Sequence, residues 1–211
     1  MIFRLEEHIL LFPAPELADE DGLLAVGGDL SVDRLNLAYS MGIFPWYSEE
    51  TPILWYSPHE RFVIFPEKVK VSKSMRKFLK TDVYKITENQ AFEQVIKSCA
   101  AAERKGQDGT WIISEMQDAY MALHKNGIAH SIEVWQDNVL VGGLYGVKTG
   151  NVFCGESMFS FAVNASKTAL IWLCKHKNYS LIDCQFHTDH LESMGAEYIS
   201  REEYMRILGT N

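Results

Sequence analysis

At His130 the periodicity of this chain changes, and the change leaves few folds open. Before it, apolar residues recur at helical spacing, as in Ser114 to Lys125, where Met116, Ala119, Tyr120 and Leu123 share one face. After it, Ser131–Trp135, Val139–Val147 and Asn151–Phe153 alternate or run apolar. The turns Gln136-Asp137-Asn138 and Lys148-Thr149-Gly150 separate them, so the three predict an antiparallel meander. A helix follows, Lys167–Lys175, with Asn164 or Ser166 as its cap, and then a short, mostly apolar strand, Ser180–Cys184. A helix in place of a tight turn is what a crossover between parallel or non-sequential strands requires. A helix at His190–Met194, a turn at Gly195-Ala196, a strand at Glu197–Ile199 and a terminal helix at Arg201–Leu208 complete the order β-β-β-α-β-α-β.

The segment up to Val63 is punctuated differently. Turn signals crowd it at Phe12-Pro13-Ala14-Pro15, Glu20-Asp21-Gly22, Gly27-Gly28-Asp29 and Phe44-Pro45-Trp46, and one short amphipathic helix runs from its N-cap Ser31 to Gly42. This predicts a compact, aromatic-rich N-terminal cap domain over residues 1–63, ahead of a second domain over residues 64–211. In the second domain a basic helix fits Lys73–Lys80, with Met75, Phe78 and Leu79 inward and the cations outward. Another fits Ala91–Arg104, stopped by the turn Lys105-Gly106-Gln107-Asp108-Gly109.

With 47% hydrophobic and 12% aromatic residues, a chain of 211 suffices for a buried core. No apolar run approaches the roughly 18 residues that span a bilayer, and Arg4, Glu6, Glu7 and His8 break any signal-peptide layout. A cytoplasmic protein without membrane association is expected. In a reducing compartment Cys99, Cys154, Cys174 and Cys184, which show no CxxC spacing, read as buried thiols. The net charge of -8 argues against general nucleic-acid coating. Yet Lys68, Lys70, Lys73, Arg76, Lys77, Lys80 and Lys85 stand against Asp82 alone, which is an electrostatic footprint or, as is common, a solvated helix face. His187-Thr188-Asp189-His190 has the residue types of a metal site but no distant fourth ligand, so no metal is expected.

Two stretches flank the helix at Asn164–His176: Gly155-Glu156-Ser157-Met158-Phe159-Ser160 and Leu181-Ile182-Asp183-Cys184-Gln185. They bring acidic and amide side chains to the ends of two strands. The element order, with the Ser193-Met194-Gly195-Ala196 turn, resembles the GNAT acyltransferase superfamily. That resemblance implies an α+β fold, a small N-terminal domain followed by a GNAT-like domain with a mixed, mostly antiparallel sheet. Acetyltransferases of that kind hold coenzyme A pyrophosphate on an Arg/Gln-x-x-Gly-x-Gly/Ala loop that enters a helix, where backbone amides meet the anion. Read as that loop, Gly155 to Ser160 lacks the glycines, and Glu156 would repel a pyrophosphate.

The chain further resembles the leucyl/phenylalanyl-tRNA-protein transferase family over nearly its whole length. The stretches that carry the likeness are Gly22 to Leu30, Gly42 to Trp46, Ile53 to Pro58, Gly109 to Ile112, His130 to Trp135, Gly155 to Ser160, Asn164 to Leu170 and Leu181 to Gln185. The resemblance implies a monomeric cytoplasmic enzyme without cofactor, which moves leucine or phenylalanine from Leu-tRNA or Phe-tRNA to proteins with N-terminal Arg or Lys. The product would carry an N-end rule degradation signal. Because the donor ester is already activated, the chemistry reduces to deprotonating and aiming an α-amine of pKa near 8.

On that resemblance the catalytic residues are Asp183, Gln185 and Glu156. Alternation puts Asp183 and Gln185 on one strand face, where Asp183 would polarise the Gln185 amide, and sends Cys184 to the other face, into the core. Glu156 would hold the donor ammonium or the cationic acceptor. Trp46 and Trp111, with Tyr39 nearby, would stack the terminal adenosine of the donor, and Tyr120 would lie beside the site. Leu144, Met158 and Leu170 would line the apolar pocket for the donor side chain, position 144 departing from the Met expected in the family. Lys73, Arg76, Lys77 and Lys80 would touch the tRNA backbone. Family members are also expected to run longer at the C-terminus, with a basic tail. The alternatives are a coenzyme A-dependent acetyltransferase, which needs the missing glycine loop, and a non-catalytic tRNA-binding module, which gives Asp183 and Gln185 no reason to pair.

Overall fold

A computed structural model of the 211-residue chain describes residues 2–102 and 111–209. In chain order it contains β1 (Phe3–Leu5), β2 (Leu23–Gly27), α1 (Val32–Ser40), β3 (Phe44–Pro45), β4 (Leu54–Tyr56), β5 (Glu60–Ile64), α2 (Lys73–Leu79), β6 (Lys85–Glu88) and α3 (Phe92–Ala101). Then come α4 (Ser114–Lys125), β7 (Ala129–Gln136), β8 (Val139–Thr149), β9 (Val152–Ser160), α5 (Ala165–His176), β10 (Leu181–Gln185), α6 (Asp189–Ser193), β11 (Glu197–Ser200) and α7 (Arg201–Gly209). The turn expected over Lys105 to Gly109 lies outside the described residues.

Local chemistry sets these boundaries. The hydroxyls of Ser31, Ser72 and Thr188 accept from the backbone N–H three residues on, at 3.3, 3.1 and 3.2 Å, and so start α1, α2 and α6. Gly42 ends α1 with a left-handed φ of 69°, the conformation a helix terminus asks of a glycine. Asp137 and Asn138 both have positive φ, 50° and 64°, which matches the twist of the β7–β8 hairpin they join.

The strands form two sheets. A small one runs β1-β2-β4-β3; a large one runs β11-β5-β10-β9-β8-β7-β6. Within the large sheet β9 and β10 pair in parallel and the other neighbours antiparallel. The meander, the α5 crossover and the order β-β-β-α-β-α-β are thus present, and the fold is α+β with a mixed, mostly antiparallel sheet. Two elements differ from expectation. β5 inserts between β10 and β11, so the boundary expected after Val63 falls inside a strand of the large sheet. The third strand of the meander continues past Phe153 to Ser160, and Gly155 to Ser160 is strand, not loop.

That extension has a packing cause. β8 presents Gly142, Gly143 and Gly146 to its neighbours, and a Cβ at Gly146 would meet the Cys154 carbonyl oxygen at 2.2 Å. At Gly142 it would meet the Ala165 side chain at 2.5 Å. A bare strand lets β9 and the start of α5 lie close against it. Core residues Leu24, Leu35, Tyr39 and Trp55 from the small sheet and α1 pack in one cluster with Val63, Tyr145 and Cys154 of the large sheet. A second cluster, including Ile64, Ile132, Leu170 and Ile182, occupies the α5 side.

Candidate active site

The site opens where the parallel pair separates. β10 stays in register with β9 only from Leu181↔Val152 to Asp183↔Cys154, while β9 runs on to Ser160. The gap holds a cavity of about 480 Å³. Leu144, Met158 and Leu170 line its apolar part, with Phe153, Leu173 and Ile182; Trp46, Trp111 and Phe186 supply aromatic faces, and Glu156 and Gln185 the polar groups. All three residues expected to form the side-chain pocket, and both tryptophans, therefore face one space. Trp46 is partly exposed and packs on Phe186, ring centroids 4.9 Å apart, which leaves it accessible to a flat ligand.

Glu156 is buried, on β9, and its hydrogen-bond partners among the described residues are all neutral. Its Oε1 accepts from the Tyr39 hydroxyl at 2.7 Å and the Gln185 amide Nε2 at 2.8 Å, and its Oε2 pairs with the Tyr120 hydroxyl at 3.0 Å. Burial pushes the Glu156 carboxyl up to about 7, against the Tyr39 and Tyr120 hydroxyls that pull it down, while the nearby Asp183 adds to the rise. The two hydroxyls also meet each other at 2.5 Å. Three oxygen contacts close a triangle, and two phenols supply only two protons. The third is present when Glu156 is the neutral acid, so the ring is satisfied in its protonated state. Tyr39 and Tyr120 stand behind Glu156 and do not line the cavity, so Tyr39 is its support, not part of a stacking surface.

Asp183 differs from expectation. Arg61 Nε donates to both of its oxygens at 3.2 Å and Nη2 to Oδ2 at 2.8 Å, deep in the core. Arg61 Nη1 donates to the Gly42 carbonyl at 2.9 Å, and the guanidinium lies 4.8 Å from the Phe44 ring centre and 4.5 Å from that of Tyr204. Burial opposes the Arg61 charge, but the Asp183 carboxylate outweighs it and raises the guanidinium pKa. The free Asp183 capacity goes to the backbone: Oδ1 accepts from the Gln185 N–H at 2.8 Å. Asp183 does not touch the Gln185 side-chain amide, which donates to Glu156 instead.

The cause is a bulge. Register against β5 shifts between Asp183 and Gln185, and Gln185 has a φ of 63°. Strict alternation fails at Gln185, which turns to Glu156 and the cavity; Cys184 does lie on the face opposite Asp183, beside Ile182, but that face borders the cavity where the core was expected. Burial holds the Cys184 thiol well above its usual pKa, which disfavours the thiolate a covalent mechanism needs.

The basic stripe forms as predicted. Lys73, Arg76 and Lys77 lie on α2 and Lys80 caps it, all exposed, with Met75 buried below. In the His187 to His190 segment, where no metal is expected, His187 and Asp189 have ligand atoms within 4.8 Å of one another and of Glu192, all exposed, with His187 Nε2 3.1 Å from Glu192. His190 is not among them. Two further residues take part, Arg61 behind Asp183 and Phe186 in the cavity wall, and neither belongs to a local motif. The signal for Arg61 was a cation at the start of the apolar run Arg61 to Phe65, which demands a buried carboxylate partner.

Fold and cavity together describe an α+β protein with an apolar pocket, aromatic walls and one buried acid–amide pair. Its relatives make this specific. The family model described as "Leucyl/phenylalanyl-tRNA protein transferase" matches residues 63–209, and the corresponding N-terminal domain model matches residues 28–59. A leucyl/phenylalanyl-tRNA–protein transferase of Flavobacterium johnsoniae is 56% identical over 202 residues, covering 94% of this chain and 95% of its own length. One from Syntrophobacter fumaroxidans is 52% identical, covering 100% of this chain and 91% of its own. Among solved structures, the crystal structure of FemX overlays with a TM-score of 0.52 at 10% identity, over 80% of this chain and 66% of that one, a likeness of fold alone. The chain belongs to the leucyl/phenylalanyl-tRNA-protein transferase family: it is an aminoacyltransferase that passes an amino acid from tRNA to protein.

Proposed function

We propose that the donors are Leu-tRNA and Phe-tRNA, that the acceptors are proteins beginning with Arg or Lys, and that a monomer works in the cytoplasm to create a degradation signal. No helix of the described residues is long and apolar enough to cross a membrane. The observation that carries the reading is the Gln185–Glu156 pair facing a cavity whose other walls are Leu144, Met158, Leu170 and the two tryptophans. The apolar wall of Leu144, Met158 and Leu170 takes Leu and Phe alike, and Met158 adapts its shape to both. Trp46 and Trp111 are the stacking faces for the terminal adenosine, each worth about 1–3 kcal/mol.

In the reaction the acceptor α-amine attacks the ester carbonyl, an amide bond forms, and the bond to the 3′-oxygen of the tRNA breaks. One proton must leave the nitrogen and one must reach that oxygen. Gln185 Nε2 is engaged by Glu156, so Oε1 is its acceptor for the amine N–H and aims the lone pair. Glu156, with a carboxyl near 7, exchanges a proton in the working range of such an amine. The α2 cations position the tRNA through its phosphates. The test is labelled Leu-tRNA or Phe-tRNA with an Arg-started peptide and no coenzyme A: label should pass to the peptide. Transfer that requires coenzyme A, or RNA binding without turnover, would overturn this reading.

A further inference from the structure

We propose that Arg61, which does not line the cavity, is a positioning residue for catalysis: through Asp183 it holds the left-handed backbone that turns Gln185 toward Glu156. The inference rests on the roles given above to Gln185 and Glu156. Gln185 is a side-chain-bearing residue at a φ of 63°, a conformation that persists only where surrounding contacts over-determine it. An extended residue 185 would share the sheet face of Asp183, away from the position it occupies. The contact that holds the turn is the 2.8 Å bond from the Gln185 N–H to Asp183 Oδ1.

Asp183 can serve as that acceptor only if its carboxylate stays in one place. Arg61 fixes it with a fork, Nε spanning both oxygens and Nη2 on Oδ2, a geometry that a lysine ammonium cannot reproduce. The third arm of the guanidinium donates to the Gly42 carbonyl, just past the end of the α1 helix that Ser31 caps. α1 carries Tyr39, a direct partner of Glu156. One buried side chain therefore ties together the strand that presents Gln185 and the helix that supports Glu156. Its rings, Phe44 and Tyr204, come from β3 and α7 and clamp it from two further elements.

The discriminating variant is Arg61→Lys, which keeps the buried charge and loses the fork. In single-turnover transfer to an Arg-started peptide it should fall at least tenfold, while affinity for a minimal aminoacyl-adenosine stays within twofold, because Leu144, Met158, Leu170 and the two tryptophans of the cavity keep their side chains. Gln185→Ala runs beside it. If Gln185→Ala transfers normally, the reading of the site fails; if it is impaired but folded Arg61→Lys is normal, the Arg61 inference fails. Parallel loss of rate and affinity in Arg61→Lys would reduce Arg61 to general support and overturn the proposal. Should Arg61→Lys not fold, the isoelectric pair Arg61→Gln with Asp183→Asn removes the buried charges together; the same rate-only loss supports the proposal, and normal rates or failure to fold count against it. In the wild-type enzyme the Gln185 amide should exchange with deuterium as slowly as the β10 core, and rapid exchange would overturn the role of Asp183 as its acceptor.

Discussion

Asp183 and Glu156 are two buried carboxylates on adjacent parallel strands, 0% and 7% exposed, and they are satisfied in opposite ways. Asp183 meets a guanidinium and a backbone N–H, and its capacity is spent. Glu156 meets two phenols and an amide, all neutral, and borders the cavity. A charge paired in the core is framework, since neither partner can change state without leaving the other uncompensated. A carboxyl surrounded by neutral donors can gain or lose a proton with its hydrogen bonds redistributed around the ring. The contrast separates the group that holds geometry from the group that does chemistry, although the same motif analysis puts both in the site.

The largest effect should come from breaking the framework. Asp183→Ala strands the Arg61 charge in the core and should cost about 3–5 kcal/mol, read by chemical denaturation. Glu156→Gln should cost far less, because the amide supplies the third donor that the triangle needs. Equal destabilisation by the two would erase the distinction. pH sharpens it further. The Glu156 carboxyl stands at about 7 in the folded chain against 4.5 in the unfolded one, so between these values the native state retains a proton that the unfolded state has lost. Its contribution to stability is therefore full below about 4.5, declines as pH rises through that window and levels off above about 7. Comparing melting temperatures at pH 5.5 and 8 should show a smaller loss in Glu156→Gln than in the wild type; identical losses would refute the assigned proton.

Transfer rates give the next effect. Glu156→Gln keeps the cavity shape but removes an exchangeable proton, and should slow transfer by about 10²-fold, within the range for a positioned acid–base group. The slowing should be seen with aminoacyl-tRNA and aminoacyl-adenosine alike. A normal rate in a folded variant would assign Glu156 to architecture, as with Asp183. A smaller effect is expected at the cavity wall: Trp46→Ala should weaken aminoacyl-adenosine binding by about 1–3 kcal/mol without changing the single-turnover rate at saturation.

Legibility from sequence follows the same division. The Asp-x-Gln stretch, Glu156, the pocket residues and the tryptophans are local motifs, and all but Asp183 of these prove to line one cavity. What alternation could not supply is the bulge at Gln185, because one extra residue against β5 reverses the face of everything after it. Arg61 was hidden for a related reason. Its meaning depends on β5 lying beside β10, a pairing between residues more than a hundred positions apart that no periodicity records. The strand character of Gly155 to Ser160 was masked by Gly, Glu and Ser, residues that suit turns in general and here serve close packing and the buried acid.

The α2 stripe extends the comparison to charges that are not buried at all. Lys73, Arg76, Lys77 and Lys80 stand in water, where a cation carries no desolvation penalty and can act at a distance on a polyanion. Their removal should leave both stability and chemistry intact and change only how tRNA arrives. Lys77→Glu should weaken aminoacyl-tRNA binding several-fold at low salt and flatten the dependence of log affinity on log salt by about one. Use of aminoacyl-adenosine should be unchanged, since that donor lacks the phosphates the stripe would touch. The measurement is a salt titration of both donors against wild type and variant. An equal loss on the two donors would mean that α2 supports the cavity instead of the RNA, and an unchanged salt slope would return the stripe to an ordinary solvated helix face.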